Sequence, residues 1–465
     1  MNKTRDVAIL GAGSAGYATA LRSAQLGLDV VMVDPGPVGG TCLHRGCIPT
    51  KAWLHAAEIR QSVLSASAFG ISAQGGDVDA KGVRDYAGHV VASLHKGLEG
   101  LLRSRKVEVL PVAGRLVLDE RGPGIEADGA VVRARNVVVA TGAEPITLGL
   151  AVDGTRVLTS EHALGLETLP KRAVVVGGGV IGVEFASLWA DLGVHVTLVE
   201  ATDRLLPGEE PDFGAILARQ LGRRGVEVIL GAAVEEVEHT ETGVLVQLGG
   251  NAVEAELVLV AVGRRPNVAP VAHAGLRLDG AHIAVDDHLE TSARGVYAVG
   301  DVVAGPQLAH RGYAHGMFVA ERIAHLHGRH PGSPTLPADR DIARITYSSP
   351  QVASVGLTSA EARERGPVEV ADFHLRGNGR ALILRPPGEK EPGLVRIIRR
   401  PGGEIVGVHA IGDGVAELIA EGALLVNWQA TPEDLRDLVH PHPTLGEALG
   451  EANLQLAGAA LHMHG

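Results

Sequence analysis

The sequence predicts an α/β fold in which one strand–helix–strand unit occurs twice, followed by a C-terminal α+β domain. Three observations carry this prediction. An apolar strand, a glycine-rich turn, a helix, a second strand and an acid recur in the same order, with Asp34 lying 23 residues after Gly11 and Glu200 lying 23 residues after Gly177. At 465 residues the chain is long enough for about three cores. From about Tyr347 the texture changes to short alternating segments, which read as an antiparallel sheet with helices.

The first unit runs from a strand over 7–10 through Gly11-Ala12-Gly13-Ser14-Ala15-Gly16 into a helix reaching Leu26, then a strand over 28–33 that ends on Asp34. Gly11 permits the tight turn, Gly13 lets a pyrophosphate approach backbone N–H groups, and Gly16 lets helix and strand pack closely. The phosphate then sits at the helix N-terminus, and the acid accepts hydrogen bonds from ribose hydroxyls. The second copy runs over 173–176 into Gly177-Gly178-Gly179-Val180-Ile181-Gly182, a helix to Leu192 and a strand over 195–199 ending on Glu200. One glycine fingerprint matches many ordinary turns; two complete copies, each with strand, helix, strand and acid, read as two Rossmann-like dinucleotide-binding domains.

Between the copies, residues 39–51 read GGTCLHRGCIPTK and hold both cysteines of the chain, Cys42 and Cys47. Pro49 predicts a helix start, because a proline at the first helical position gives up an N–H that has no intrahelical partner. Cys47 then stands at the positive end of a helix dipole, where a thiolate is favoured. Two thiols at this spacing read as a dithiol/disulfide couple. The competing readings are two small apolar residues and a metal site, for which two ligands fall short of a tetrahedral set. With two dinucleotide units on the same chain, the economical pairing is a flavin and a nicotinamide serving a dithiol.

A helical stretch is expected over 51–104 and a β-rich stretch over 107–139, the latter containing Gly114 and ending in Thr141-Gly142-Ala143. Beyond the second unit, a buried strand over 256–262 stops at Gly263, and another over 295–299 stops at Gly300-Asp301. Strand ends of this kind are where open α/β sheets bind ligands. Asp301 is placed to bond a polyol or ribose, with a helix cap or turn aspartate as the alternative. Near the end stands His440-Pro441-His442-Pro443-Thr444-Leu445-Gly446-Glu447. Prolines fix the backbone around His442, and Glu447 can orient its ring, as a general acid/base requires. A metal site through His440 and His442, or a solvated turn, are the alternatives. Residues 462–464 read as a frayed tail.

Composition closes off other classes. A net charge of −12 disfavours nucleic acid, and aromatic residues at 3% are too scarce for a base-stacking surface. No apolar run approaches the roughly 18 residues of a membrane span. The few residues before Val7 leave no room for a signal peptide. The expected compartment is the cytoplasm, where a structural disulfide would be reduced and a catalytic one could cycle.

With GGTCLHRGCIPTK, both fingerprints, Gly300-Asp301 and HPHPTLGE in this order, essentially the whole chain resembles the flavoprotein disulfide reductases. The phrase LPGEEPD after Glu200 leans towards their lipoamide-oxidising branch. The resemblance implies oxidation of protein-bound dihydrolipoamide by NAD+ through FAD, in a 2-oxoacid dehydrogenase or glycine cleavage complex. The partners it implies are the lipoyl domain of an acyltransferase or a glycine-cleavage carrier protein. It implies a homodimer built on the C-terminal α+β dimerisation domain, with an FAD-binding domain over 1–145 and 276–345, an NAD-binding domain over 146–275 and the interface domain over 346–465. Cys42 would exchange with substrate and Cys47 face the flavin, while His442 of the other subunit, held by Glu447, accepts the thiol proton. FAD would be met by Gly11, Gly13, Ser14, Gly16, Asp34, Gly40, Thr41, Lys51, Gly114, Thr141, Gly142, Asp301, Gln307, Leu308, Ala309 and His310, with Lys51 pairing with Glu184. NAD would be met by Gly177, Gly179, Val180, Ile181, Gly182, Glu200, Val234 and Gly263.

Two departures from the family pattern stand out: Gly446 replaces a commoner serine, and Asp34 a commoner glutamate. The first is expected to loosen the loop that positions Glu447. Mercuric reductases carry a further cysteine pair near the C-terminus, whereas no cysteine follows Cys47 here. Glutathione-type reductases usually take NADP, whose 2′-phosphate a carboxylate at Glu200 repels, although Arg204 is near in sequence. A flavin-binding module without turnover is the remaining alternative, and it would need neither the cysteine pair nor a proton acceptor.

Overall fold

The computed structural model describes residues 4–75, 77–387 and 392–462. The chain divides into two compact units, one formed by Met1–Ala52, Arg84–Ile146 and Arg264–Asp339, the other by Trp53–Val83, Thr147–Gly263 and Arg340–Gly465.

In the first unit the strand Arg5–Leu10 lies parallel to Val30–Val33 on one side and to Ala130–Val139 on the other, with Val7 opposite both Val30 and Asn136. Glu108–Leu110 extends the sheet beyond Val30–Val33, and Val296–Ala298 pairs in parallel with Ala130–Val139. Side chains along a strand alternate between faces. Val7 and Ile9 join Met32, Val138 and Phe318 in one core, while Ala8 and Leu10 join Val31, Leu116 and Ile125 in another. Because both faces are covered, the strand reads as an unbroken apolar run. The helix Ser14–Gln25 is fastened to Ala309–Leu326 by a Tyr17–Tyr313 hydroxyl bond of 2.7 Å and an Arg22–Glu321 bond of 2.8 Å.

The second unit repeats the device. Glu227–Ile229, His195–Val199, Arg172–Val176, Leu257–Val260 and Val157–Leu158 form a parallel sheet in that order, with the helix Val180–Asp191 joining its two central fingerprint strands. The same unit holds a five-stranded antiparallel sheet ordered Arg344–Thr346, Gln351–Gly356, Ile405–Gly412, Leu394–Arg399, Glu369–His374. The helices Val415–Asn427 and Gly446–Leu456 cover its core of Ala353, Val395, Ile397 and Val408. Among the described residues no helix is long and apolar enough to cross a membrane.

Local differences from the sequence reading have simple causes. The helix at the second cysteine begins at Cys47, so Pro49 is its third residue rather than its first. Thr50 N already bonds Gly46 O, which leaves Pro49 as the last position whose N–H would lack a partner, and the proline still costs nothing. The stretch 51–104 is two helices, Cys47–Ser65 and Ala80–Ser104, the first continuing as the short turn Ala66–Phe69 and stopping at Gly70 in a left-handed conformation. The antiparallel sheet starts at Arg344, slightly ahead of the change of texture at Tyr347. The tail is not frayed at His462, whose backbone N (3.0 Å) and ring Nδ1 (2.8 Å) both bond the buried carboxylate of Glu451. Met463 and His464 lie outside the described residues.

Candidate active site

Cys42 sits on a one-and-a-half-turn helix, Gly40–Arg45, that the sequence does not announce, and Cys47 opens the next helix after the break at Gly46. Both are half-buried thiols, not joined in a disulfide. The segment is laid against the first glycine loop: Gly39 N bonds Ala12 O at 2.8 Å, and a Cβ on Gly40 would come within 2.6 Å of Gly13 Cα. Cys42 is thereby brought to both Cys47 and the hydroxyl of Ser14, with Lys51 near enough for its charge to act. The hydrogen bond with Cys47 pushes the Cys42 thiol well above its ordinary range, and burial and the charge of Cys47 push it further. Ser14 and Lys51 pull it back. Tyr17, which sequence reasoning passed over, packs against the core that contains Leu43, as does Ile48; the two flank the cysteines in the chain. Burial, the hydroxyl of Tyr313 and the two cysteine charges all raise the pKa of its phenol. Its only sequence signal is its place one residue beyond the fingerprint.

The two glycine loops are built alike. At Gly11 and Gly177 φ is +110°, and a Cβ would fall 2.2 Å from Ala140 O and 2.5 Å from Ala261 O, so only glycine fits. Nothing lies within 4 Å of a Cβ on Gly13 or Gly179, which leaves room for a phosphate at each helix start. No side chain caps either helix there. The acids brace these loops: Asp34 accepts from Ala12 N and Gly36 N, each at 2.7 Å. Glu200 accepts from Gly178 N at 2.5 Å and Thr202 N at 2.7 Å. Ribose hydroxyls would therefore share these oxygens with backbone N–H groups. Burial disfavours the charge on Glu200, but the N–H groups of Thr202 and Gly178 outweigh it and hold the carboxyl below its usual range. These cradles, acids and open helix starts fit two dinucleotides.

The other expected contacts fall as follows. Gly114 opens a strand against Leu10, Val33 and Ile125. Thr141 Oγ1 donates to Asn267 O at 2.6 Å, and Gly142 O accepts from Asn267 N at 2.8 Å. Asp301 lies in the turn Gly300–Val302, whose cap is Val299 with no side-chain bond, so the helix-cap alternative fails. Burial raises its carboxyl pKa against the opposing charges of Arg264 and Arg311. Gln307 Nε2 donates to Arg264 O at 3.4 Å, Leu308 caps the helix that Ala309 opens, and His310 is exposed. In the second unit, Val180 is exposed and Ile181 half-buried in the first turn of their helix. Gly182 packs on Gly177 O, and Glu184 is buried, accepting from Tyr347 N at 2.9 Å. Val234 packs against the valine core of the parallel sheet, and Gly263 follows the end of Leu257–Val260 with φ +113°.

His442 Nδ1 bonds Glu447 Oε1 at 2.8 Å, and Glu447 Oε2 accepts from Thr444 N at 2.8 Å. The Thr444 N–H first, and His442 next, hold the Glu447 carboxyl below its ordinary range. Gly446 does not leave the loop slack. Thr444 Oγ1 donates to Pro441 O, Asn378 Nδ2 donates to Thr444 O, and Glu447 lies in the first turn of Gly446–Leu456, where a negative charge is favoured. With its side chain 79% exposed, His442 presents the rest of its ring outward. His440 instead bonds Glu421 at 2.8 Å, which removes it from a metal pair with His442.

Two dinucleotide cradles, a redox-capable dithiol against the first of them, and a histidine oriented by a carboxylate define a nucleotide-dependent dithiol–disulfide oxidoreductase. The chain belongs to the pyridine nucleotide-disulphide oxidoreductases, whose family pattern it matches over residues 5–316, with the family's dimerisation domain over 342–453. It is 38% identical to a dihydrolipoyl dehydrogenase of Bacillus subtilis, over 98% of this chain and 99% of that one. It is 39% identical to a dihydrolipoyl dehydrogenase of Thermus scotoductus, over 99% of each. The structure of LpdA from Mycobacterium tuberculosis superposes with a TM-score of 0.88 at 29% identity, covering 97% of this chain and 100% of that one.

Proposed function

We infer that the chain is a dihydrolipoyl dehydrogenase, oxidising a dihydrolipoyl group to its disulfide with NAD+. The observation that carries this is the Cys42–Cys47 pair, hydrogen-bonded and laid against a dinucleotide cradle. FAD belongs to 1–145 and 276–345, held at Gly11, Gly13, Ser14 and Asp34 and at Asp301. NAD belongs to 146–275, held at Gly177, Gly179 and Glu200. Residues 346–465 form the homodimer interface, through which each subunit lends His442 to its partner's dithiol.

In the oxidised enzyme Cys42 and Cys47 are joined. His442 Nε2, left with a free lone pair because Nδ1–H is committed to Glu447, takes the proton of one substrate thiol. The thiolate attacks Cys42 Sγ, the Cys42–Cys47 bond breaks, and the electron pair leaves on Cys47. The second substrate thiol then attacks the substrate sulfur of the mixed disulfide. Cys42 departs with the proton that His442 returns, His442 takes the proton of the second thiol, the substrate closes into its cyclic disulfide, and the enzyme holds the electron pair as a Cys42 thiol and a Cys47 thiolate. A flavin held at Gly11, Gly13, Ser14, Asp34 and Asp301 would supply two-electron acceptor chemistry linking the Cys47 thiolate to NAD+. Lys51 stands one turn beyond Cys47 on the same helix, where its positive charge favours a thiolate.

The donor is the lipoyl arm of an acyltransferase or of a glycine-cleavage carrier protein, and the setting is the cytoplasm. An anaerobic assay comparing dihydrolipoamide with NAD+ against glutathione disulfide with NADPH tests the assignment. Turnover of the first pair alone supports it; turnover of the second alone, or NADH reduction of bound flavin with no dithiol activity, overturns it.

A further inference from the structure

The strand Val296–Ala298 runs into a turn at Gly300, φ +74°, that carries Asp301. Two side chains from outside the turn satisfy its backbone, and a third holds one of them in place. His315 Nδ1 accepts from Gly300 N at 3.3 Å. Arg311 reaches Gly300 O through Nη1 at 3.5 Å and Ala304 O through Nη2 at 2.5 Å. Asp339 holds the guanidinium from the other side, at 2.6 Å to Nε and 3.0 Å to Nη2. Arg311 and His315 stand one helical turn apart on Ala309–Leu326, and they are 3% and 2% exposed. Gly305 must be glycine for the same reason: at φ +122° a Cβ would fall 2.3 Å from Arg311 Nη2 and 2.4 Å from Asp339 Oδ2.

Burying a guanidinium and an imidazole this completely is costly unless each hydrogen-bonding group has a partner. Here most of those partners are backbone atoms of one five-residue turn. We propose that His315, Arg311 and Asp339 form a clamp of positioning residues that fixes the 300–304 turn, so that the Asp301 carboxylate is presented to the polyol of the bound flavin. This rests on the reading of Asp301 as a flavin contact and explains how that contact is set. The clamp works only with a neutral His315, because Nδ1 must keep a lone pair for Gly300 N–H. Burial pushes the ring's pKa down to about 4, the charge of Arg311 lowers it too, and Asp339 opposes them. The charged groups that act on the ring are Arg311 and Asp339, and the helix Ser14–Gln25 meets Gly300 through the uncharged Ala15.

The folded value lies below the ordinary 6.5, so in the folded enzyme the ring stays neutral and the clamp closed until pH falls through about 4, where protonation takes the lone pair from Gly300 N–H. The test uses the FAD-loaded enzyme, with release read from the fluorescence of free flavin. H315L strands the Gly300 N–H, and R311K loses the forked contact; each should raise the FAD dissociation constant about tenfold or more. H315N, whose Oδ1 can stand in for Nδ1, should restore binding and abolish the flavin loss that sets in as pH falls through about 4. Wild-type affinity in both H315L and R311K, or an acid profile unchanged in H315N, overturns the clamp. If H315L does not fold, the comparison of R311K and H315N with the parent decides by the same criteria. D301N separates the two layers: weakened D301N beside unaffected clamp variants sinks the clamp alone, whereas unaffected D301N sinks the flavin contact on which it rests.

Discussion

Replacing Glu447 by glutamine changes no volume and should nonetheless disable the base it serves. The carboxylate meets two donors, His442 Nδ1–H at 2.8 Å and Thr444 N–H at 2.8 Å, one on each oxygen. A glutamine has one carbonyl oxygen and one amide, so one donor is left facing another donor. The backbone N–H cannot turn away, whereas the imidazole can move its proton. The amide oxygen therefore goes to Thr444, its NH2 meets Nδ1, and His442 adopts the Nε2–H tautomer with no lone pair outward. Loss of the charge-assisted bond alone costs about 1.5–3 kcal/mol, or roughly ten- to hundredfold. Loss of the base brings the expected decrease to about 10²-fold or more. E447A removes both acceptors and leaves the ring free to choose, so it should be the milder variant, down about tenfold. The assay is anaerobic stopped flow, comparing flavin reduction by dihydrolipoamide with reduction by NADH. The reasoning is refuted if E447Q reduces its flavin with dihydrolipoamide at near wild-type rate, if both reductants slow equally, or if E447A is the worse variant. Because the Glu447 pKa is depressed, its contribution is present above the ordinary carboxylate range and lost only as pH falls through the lower folded value.

Cys42→Ser should abolish dithiol turnover while NADH still reduces the bound flavin; residual dihydrolipoamide oxidation would exclude Cys42 as the exchanging thiol. Arg396 joins Glu210 at 2.8 Å, Asp212 at 2.8 Å and Asp372 at 2.7 Å, and Glu210 is 2% exposed. R396M leaves that buried carboxylate without its cation, with Ser359 N–H on one oxygen, and should cost about 3–5 kcal/mol in urea unfolding, with R396M/E210M recovering part of it; a loss under about 1 kcal/mol would mean that water reaches Glu210 freely. The charge on Glu200 should repel a 2′-phosphate, so E200S is expected to shift the NADPH-to-NADH preference by about tenfold or more towards NADPH. An unchanged ratio in steady-state kinetics would show that Glu200 does not meet the ribose.

Residue order alone determined the two glycine units, because a turn, a helix start and a strand buried on both faces are local and leave a local pattern. It also determined the dithiol and the histidine–carboxylate pair five residues apart, whose partners are close enough in the chain for backbone geometry to bring them together. Tertiary structure alone decided what those pieces touch. Gly13 meets Gly40, Ser14 meets Cys42, Tyr17 meets Tyr313 across 296 residues, and His315 reaches back to Gly300. It also assigned Asp34 and Glu200 a second task, bracing their own loops. Periodicity tells a segment which face to bury; which foreign side chain then lies against that face depends on how separate elements stack, and no single stretch of sequence carries that information.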